Sequence, residues 1–289
     1  MAAAMPAPGP LPGRRASQPG ARRHPPGRAS GFDARVAHPA RIYDYWLGGK
    51  DNFEADRIAG EETIAAWPSI RASARANRAF LARTVRYLAG EAGIRQFLDI
   101  GTGLPTASNT HEVAQAAAPS ARVVYVDNDP LVLSHARALL SSGPDGITAY
   151  LDADARDTAT ILEQAAKTLD FTRPVAIMLL AILHYIPDAG EAHQIVARLT
   201  AAVPAGSYLA ISHCASDIDP VAMAEMIRRM NEHLAEANHV GRTREEVTRF
   251  FDGLELVDPG VQMVTRWRPE SELEASAPTS LWGGVARKR

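Results

Sequence analysis

The chain has 289 residues, 46% of them apolar, so it can bury the core of one large domain or of one domain with a cap. Its single cysteine, Cys214, excludes an internal disulfide and any cysteine-rich metal site, and we expect no bound metal. The longest apolar stretch, residues 175–186, has about 12 residues, whereas a membrane span needs about 20. We therefore expect a soluble, cytoplasmic protein without a membrane partner.

The first 31 residues differ in composition from the rest. They contain five arginines, seven prolines, five glycines and no acidic residue, which leaves −7 on the remainder of a chain whose net charge is −2. Such a segment cannot bury a core, and we predict a disordered tail over residues 1–33. Its two arginine pairs leave contact with nucleic acid or membrane as an alternative. We favour a solvated tail and expect no nucleic-acid partner.

Residues 34–92 have the pattern of helices. Apolar side chains recur at helical spacing from Ile70 to Leu88, and arginines form a second stripe beside them. We predict that this segment is an N-terminal helical cap or lid on the domain that follows.

From residue 96 onward, predicted strands and helices alternate. Strands are predicted at 96–100, 122–127, 147–152, 174–180 and 206–212, with two more near 255–265 and 280–287. Helix starts are marked by N-cap residues: Asn109 with Glu112, Asp129 before Pro130, Asp219 before Pro220 for a helix at 220–237, and Thr243 with Glu246 for one at 244–251. This alternation predicts an α/β domain over residues 93–289 with a doubly wound, mostly parallel sheet.

Two short motifs carry most of the functional information. The sequence FLDIGTG at residues 97–103 is an apolar run that ends in Asp99 and breaks into a glycine turn, and the run RVVYVD at 122–127 ends in Asp127. Together they predict a βαβ unit with a nucleoside site at the carboxyl ends of its strands. Gly101 and Gly103 let the backbone approach a ligand, and Asp127 has the spacing of a carboxylate that accepts ribose hydroxyls.

The glycine pattern favours S-adenosylmethionine over a dinucleotide. A dinucleotide fingerprint needs a third glycine inside the helix, but this chain has Pro105 in that region. Asp99 would repel a pyrophosphate, whereas it suits the ammonium group of a methionine moiety. A nicotinamide-dependent oxidoreductase is therefore a weaker alternative.

Further segments resemble one particular family. They are RIYDYWLGGKDNF at residues 41–53, RANRAFL at 75–81, DIGTGLPT at 99–106, YVDNDP at 125–130, LHYIPD at 183–188 and GGVARK at 283–288. The chain resembles, over roughly residues 34–289, a family of bacterial S-adenosyl methyltransferases formerly described as a domain of unknown function. This resemblance implies the seven-stranded class I methyltransferase fold and a methyl-donor site, but it names no acceptor.

The resemblance also implies roles for residues at the ends of the other strands. Thr102 and Asn128 would complete the donor site, and Asp154 with Ala155 would contact the adenine. Two alternatives stay open: Asp152 takes this role in place of Asp154, or Asp154 only caps the next helix.

His184, after the fourth strand, would lie beside the donor methyl group as a base or as a residue that orients the loop. The helical pair Asn77 and Arg78 would contact the ligand, with Arg78 reaching a carboxylate of the donor or of an acceptor; a solvated basic face is the alternative.

The segment 41–53 concentrates aromatic and polar side chains around a Gly-Gly turn. We predict that it closes over the strand ends near Gly101 and His184, with Tyr45 or Asn52 touching donor or acceptor and Tyr45 a second catalytic candidate. The rival interpretation is a helix that only packs on the sheet.

The function expected from these patterns is in-line methyl transfer to a small-molecule acceptor. DNA adenine and glutamine side chains are disfavoured as acceptors, because residues 180–183 lack the Asn/Asp-Pro-Pro-Tyr signature that holds a planar amine. The departures at Pro105 and Asn128 leave a non-catalytic nucleoside-binding protein as the alternative. The sequence leaves a homo-oligomer open.

Overall fold

The computed structural model describes Met1 and residues 33–139, 145–234 and 238–289. The predicted tail lies outside the described residues, apart from its two ends. The last three residues of the helix predicted at 220–237 lie outside them as well.

Helices and strands alternate through the described chain. The α-helices are α1 Pro39–Leu47, α2 Glu54–Ala66, α3 Ile70–Arg86, α4 Thr110–Ala117, α5 Pro130–Leu139, α6 Thr158–Ala165, α7 Ala189–Ala201, α8 Pro220–His233, α9 Arg244–Arg249 and α10 Glu272–Ala275. The strands are β1 Gln96–Ile100, β2 Arg122–Asp127, β3 Ile147–Asp152, β4 Ala176–Leu180, β5 Tyr208–Cys214, β6 Glu255–Leu256, β7 Gln262–Met263 and β8 Leu281–Arg287. A π-helical turn, Tyr87–Glu91, follows α3, and 3₁₀ turns lie at Leu183–Tyr185 and Val264–Arg266. Within the described residues, no helix has the length and apolar character that a membrane span requires.

The strands form one mixed sheet in the order β3-β2-β1-β4-β5-β8-β6, and β7 also pairs with β8. Strands β1 to β5 are parallel, and β8 is antiparallel to β5. The predicted doubly wound, mostly parallel α/β sheet is therefore confirmed. Parallel order brings the carboxyl ends of β1, β2, β4 and β5 to one edge, where crossover loops can hold a ligand.

The predicted count of seven strands is wrong, because the described chain has eight. The predicted strand near 255–265 is split into β6 and β7, which both pair with β8. The N–H of Val257 still donates to the carbonyl of Val285 in β8, at 2.9 Å. The chain then turns away from β8, and the N–H of Gly260 donates to the Val257 carbonyl at 2.8 Å to close the turn. Pro259 inside this turn has no N–H to donate, so the strand cannot continue.

The helices begin where their capping residues indicate. Asn109 and Glu112 form a reciprocal capping box at α4, and Thr243 with Glu246 forms another at α9. Asp129 Oδ1 accepts from the backbone N–H of Leu131 at 2.8 Å in the first turn of α5. These caps fix where the chain enters each helix after leaving the edge of the sheet.

The two faces of the sheet bury separate apolar layers. On one face, Phe97 and Met178 lie in the same core as Phe80 of α3. On the other face, Leu98 and Ile177 pack with the apolar sides of α6, α7 and α9. Because α3 shares a core with the strands, the N-terminal helices contribute to the sheet packing; the predicted boundary at residue 92 stays a prediction.

Two adjacent glycines in β8 let neighbouring side chains pack closely against the sheet on its two faces. A Cβ at Gly283 would lie 2.8 Å from Val264 and 3.0 Å from Phe80, and one at Gly284 would lie 3.0 Å from Val261. These distances are shorter than ordinary van der Waals contacts. The packing around β8 therefore requires residues without a side chain at both positions.

Replacing Gly283 with alanine is expected to destabilise the fold by about 1–3 kcal/mol, the usual cost of overpacking a filled core. Gly90 is the matched control, because a Cβ there meets nothing within 4 Å. Urea unfolding of both variants checks this, and a G283A protein as stable as G90A would contradict the packing argument.

Candidate active site

The glycine turn after β1 is held against the end of β2. Gly101 and Gly103 have φ of 76° and 67°, in the left-handed region, and Gly101 N–H donates to the Val126 carbonyl at 2.8 Å. A Cβ at Gly101 would lie 2.7 Å from the side chain of Ile182, whereas one at Gly103 would meet nothing within 4 Å. The side chain of Ile182 thus leaves no space for a Cβ at Gly101, whereas the backbone at Gly103 faces open space.

Asp127 ends β2 beside this turn and is buried. Its carboxylate accepts from Gly103 N–H at 2.8 Å and from Asp129 N–H at 3.0 Å. Burial raises the pKa of Asp127, although these two backbone N–H groups and His38 oppose the shift. The carboxylate is fixed toward the glycine turn and keeps lone pairs for further donors.

Asp99 is the penultimate residue of the adjacent strand β1 and is also buried. The hydroxyl of Thr110 donates to Asp99 Oδ2 at 2.6 Å. Burial raises the pKa of Asp99 to about 6, against the opposing influence of Thr110 and of the nearby Arg78 charge, while Asp127 adds to the rise. A buried carboxylate in this position favours a cation as its partner.

Arg78 of α3 extends its side chain to the loop that follows the glycine turn. Its Nη2 donates to the carbonyls of Ala107 at 3.2 Å and Ser108 at 3.1 Å. Thr102, inside the turn, donates from Oγ1 to the Asp99 carbonyl at 3.1 Å. The structure therefore brings the predicted residues of β1, β2 and α3 together at the carboxyl edge.

Asn77 lies deeper, with both ends of its amide bonded inside the protein. Its Oδ1 accepts from Ser212 Oγ at 2.6 Å, and its Nδ2 donates to the hydroxyl of Tyr43 at 3.1 Å. Ser212 Oγ in turn accepts from the backbone N–H of Ala181 at 3.0 Å. This buried chain links α1 and α3 to the ends of β4 and β5.

The structure places Tyr45 away from these residues. Its hydroxyl donates to Glu61, and the guanidinium of Arg71 lies 5.3 Å over its ring, both on the far side of α1. Asn52 donates to Asp44 at 2.8 Å and shapes the local turn. It is Tyr43, two residues before Tyr45, that is linked to β5 through Asn77 and Ser212.

Charged contacts tie α1 to the end of β2. Arg41 Nε lies 3.3 Å from Asp129 Oδ2, and Nη1 lies 3.8 Å from Asp56 of α2. His38 Nδ1 is 3.0 Å from the same oxygen of Asp129. Burial raises the pKa of Asp129, but His38, the N–H of Leu131 and the charge of Arg41 together lower it below its usual value. The N-terminal segment is thereby held next to Asp127.

The residues predicted to meet adenine lie at the ends of β2 and β3. Asp154 is partly exposed and accepts from Arg156 N–H at 2.8 Å, and Ala155 is buried. Asn128 and Asp152 are exposed; Asp152 is in register with Asp127 on the neighbouring strand. These side chains lie along the same edge as Asp127.

His184 belongs to a buried cluster of three imidazoles below the ends of β4 and β5. Its ring lies 4.4 Å from that of His239 and 5.6 Å from that of His213. Nδ1 of His184 accepts from Cys214 N–H at 3.4 Å, which places the proton of the neutral ring on Nε2. Burial, with His239, His213 and Arg242 adding to it, lowers the pKa of His184 well below its usual range.

Arg242 holds this cluster against the loop after β4. Its Nη1 donates to the carbonyl of Leu183 at 3.0 Å and to His213 Nε2 at 2.7 Å, and Nη2 donates to the Ile186 carbonyl at 2.8 Å. His213 Nδ1 donates to the carbonyl of Cys214 at 2.8 Å, so this ring is neutral with its tautomer fixed. Among the described residues, no group of three or more ligand-type side chains could hold a metal.

Sequence reasoning missed Tyr43, Ser212, Asp129 and Arg242 as parts of this site. Tyr43 stood in the segment already singled out, and Asp129 was interpreted only as a helix cap. Ser212 is a polar residue in a mostly apolar strand, where a buried side chain needs a hydrogen-bond partner, and a pattern-based interpretation could have used this signal.

Burial lowers the pKa of His213 to about 3 and of His239 to about 4. The unfolded chain therefore binds more protons than the folded one below pH 6.5, so the three histidines make stability fall as pH falls. Replacing His239 with glutamine is expected to remove about 2 kcal/mol of the stability change between pH 7 and pH 5. Urea unfolding at both pH values measures this difference.

The histidine argument would be contradicted by an H239Q protein with the same pH dependence as the native chain. Asp99 works in the opposite direction over the same range, because burial raises its pKa to about 6. The comparison of variant with native protein cancels that contribution.

Comparison with known proteins agrees with the geometry of this site. The family described as S-adenosyl methyltransferase matches residues 26–289. A DUF574 family protein from Streptomyces avermitilis MA-4680 is 46% identical with a TM-score of 0.85, covering 89% of this chain and 99% of its own. A protein from Thermobifida fusca YX, described as a candidate methyltransferase, is 42% identical with a TM-score of 0.82, covering 91% and 98%. No curated protein matches.

The sheet order, the glycine turn and the strand-end carboxylates define a methyltransferase of the class I fold. The chain belongs to the S-adenosyl methyltransferase family, as its segments suggested. It is thus a methyltransferase that depends on S-adenosylmethionine, and the non-catalytic alternative is not favoured.

Proposed function

We propose that S-adenosylmethionine lies across the carboxyl ends of β1 and β2, with its ribose on Asp127 and its ammonium group on Asp99. The observation that carries this proposal is the pair of buried carboxylates on adjacent strands, beside the open backbone at Gly103. Asp127 is already oriented by two backbone N–H groups, and Asp99 has a raised pKa that a cation would lower. When bound, the donor supplies an electrophilic methyl group.

The adenine would lie on the β3 side of Asp127. Asp154, Ala155 and Asn128 line this part of the edge, and Asp154 keeps a partly exposed carboxylate that can accept from an amino group. Arg156 binds both Asp154 and the carbonyl of Tyr185, the latter at 3.0 Å, and so joins this end to the loop after β4.

We propose in-line transfer to a small-molecule acceptor. Such a displacement needs reactants held in line more than it needs a covalent catalyst. The contacts of Arg41 with Asp129 and of Tyr43 with Asn77 support the proposal that α1 lies over the strand ends and limits the space for an acceptor. This arrangement supports a small acceptor more than an extended polymer.

We propose that His184 acts as a hydrogen-bond donor rather than as a base. Its Nδ1 is engaged by Cys214 N–H, and its pKa lies well below the usual range because of burial. A ring in this state presents Nε2–H, which can orient an acceptor that already carries its own lone pair.

Affinity for S-adenosylhomocysteine is expected to fall about tenfold between pH 7 and pH 5. A carboxyl with a pKa of about 6 is mostly ionised at pH 7 and mostly protonated at pH 5, and only the ionised form attracts the ligand's ammonium group. Calorimetry across this range measures the change.

The matched variant for this pH dependence is Asp99→Asn, which should bind more weakly at pH 7 and lose most of the slope. The other groups near Asp99 that bear on its charge are Arg78, Asp127, Thr110 and Tyr125. A slope that persists in D99N would assign the titration to Asp127 and refute the ammonium contact.

Replacing Asp127 with asparagine is expected to weaken S-adenosylhomocysteine binding about 10- to 100-fold, because charge-assisted hydrogen bonds to the ribose are lost. Asp219→Asn is the control, since Asp219 caps α8 by accepting from Ala222 and asparagine caps equally well. Equal affinities of the folded D127N and D219N proteins would rule out the ribose contact.

A further inference from the structure

The polar chain that runs from α1 to β4 has a defined direction at every bond. Ala181 N–H donates to Ser212 Oγ, Ser212 O–H donates to Asn77 Oδ1, Asn77 Nδ2 donates to Tyr43, and the Tyr43 hydroxyl donates to the carbonyl of Ala74 at 3.0 Å. Ser212 and Asn77 are buried, so water does not compete for these bonds. The chain therefore acts as one unit between the N-terminal helices and the sheet.

The end of this chain holds an unusual backbone. Ala181 has φ of 55°, in the left-handed region that non-glycine residues rarely adopt. Its N–H is shared between the carbonyl and the hydroxyl of Ser212, each at 3.0 Å. The next residue, Ile182, presses on the glycine turn, where a Cβ at Gly101 would lie 2.7 Å from its side chain. The turn at Ala181 thus sets the loop after β4 against the loop after β1.

We propose that Ser212 and Asn77 are positioning residues that fix the methionine end of the donor site by holding the turn at Ala181. This inference rests on the proposed donor site. In the sheet, β1 lies between β2 and β4. With the nucleoside on the β2 side, the sulfur and the amino-acid portion of the donor lie on the β4 side, against this turn.

A second serine, which links β5 to β4 at their other ends, serves as a control for effects on stability alone. Ser207 is buried at the opposite end of the sheet, just before β5, and its Oγ accepts from Val175 N–H at 3.1 Å. It makes the same kind of bond to the residue before β4 that Ser212 makes to the residue after it. Loss of the Ser207 hydroxyl removes one buried hydrogen bond and loss of the Ser212 hydroxyl removes two, and only Ser212 supports Ala181.

The experiment compares two ligands by calorimetry on the full chain. S-adenosylhomocysteine has the amino-acid portion, and 5′-methylthioadenosine has the same nucleoside and sulfur without it. Ser212→Ala is expected to weaken S-adenosylhomocysteine binding about fivefold and to leave methylthioadenosine binding unchanged, a size typical of one lost hydrogen bond. Ser207→Ala is expected to change neither.

Two further variants test the role of the backbone. Ser212→Thr keeps the hydroxyl and should retain native affinity. Ala181→Gly added to Ser212→Ala should restore most of the lost affinity, because glycine adopts a positive φ without support. If S212A does not fold, Asn77→Ala, which removes the acceptor of the Ser212 hydroxyl, is compared with Ser207→Ala on the same two ligands, and equal losses for both ligands would again overturn the inference.

The outcomes separate this inference from the proposed function. Equal losses for both ligands, equal losses in S212A and S207A, or no recovery on adding A181G would each show a merely structural role and overturn the inference. If the native protein binds neither ligand, the donor site itself fails, and the inference fails with it. If the native protein binds both and S212A behaves as native, only the inference fails.

Discussion

Two carboxylates, Asp99 and Asp127, are buried near the carboxyl ends of neighbouring parallel strands. Asp99 and Asp127 repel each other and have lost much of their hydration, and burial raises the pKa of both. The fold tolerates them because Gly103 N–H, Asp129 N–H and the hydroxyl of Thr110 solvate them in fixed directions. Such an arrangement is pre-organised for a ligand that brings both hydroxyl donors and a positive charge.

The N-terminal helices are attached to this pair at two independent points. One is the charged contact of Arg41 with Asp129, directly beyond Asp127. The other is the neutral chain through Asn77 and Ser212, which ends at the loop after β4. Since the two attachments lie on opposite sides of β1, a movement of α1 and α3 would alter both ends of the proposed donor site together. The segment therefore packs on the sheet and contacts residues at its carboxyl edge, and its role as a lid stays a prediction.

The sequence was informative where one residue determines the local backbone. The bounds of β1, β2 and β3 agree with prediction to the residue, because glycine turns, N-caps and apolar runs mark them locally. The family and the fold class followed from the same motifs. The break between β6 and β7 was not foreseen, since it depends on how a turn at Gly260 leaves the ladder of β8.

Side-chain direction was harder to predict than position along the chain. Tyr43 and Tyr45 are two residues apart on α1, and two residues turn a helix by about 200°, so they face opposite sides. The composition of the segment could not say which side faces the strand ends. Ser212 posed the same problem in another form, because its partners Asn77 and Ala181 are distant in sequence and meet only in the folded sheet.

The titrations of the histidine cluster and of Asp99 have opposite signs. The histidines have lowered pKa values in the folded state, so their contribution to stability is lost as pH falls below 6.5. Asp99 has a raised folded-state pKa of about 6 against 3.8, so its ionisation costs the folded state about 2 kcal/mol as pH rises from 4 to 6. At neutral pH the fold therefore holds one ionised, poorly solvated carboxylate at the end of β1. A bound ammonium group would relieve this cost, which makes donor binding stabilise the protein more at neutral pH than in acid.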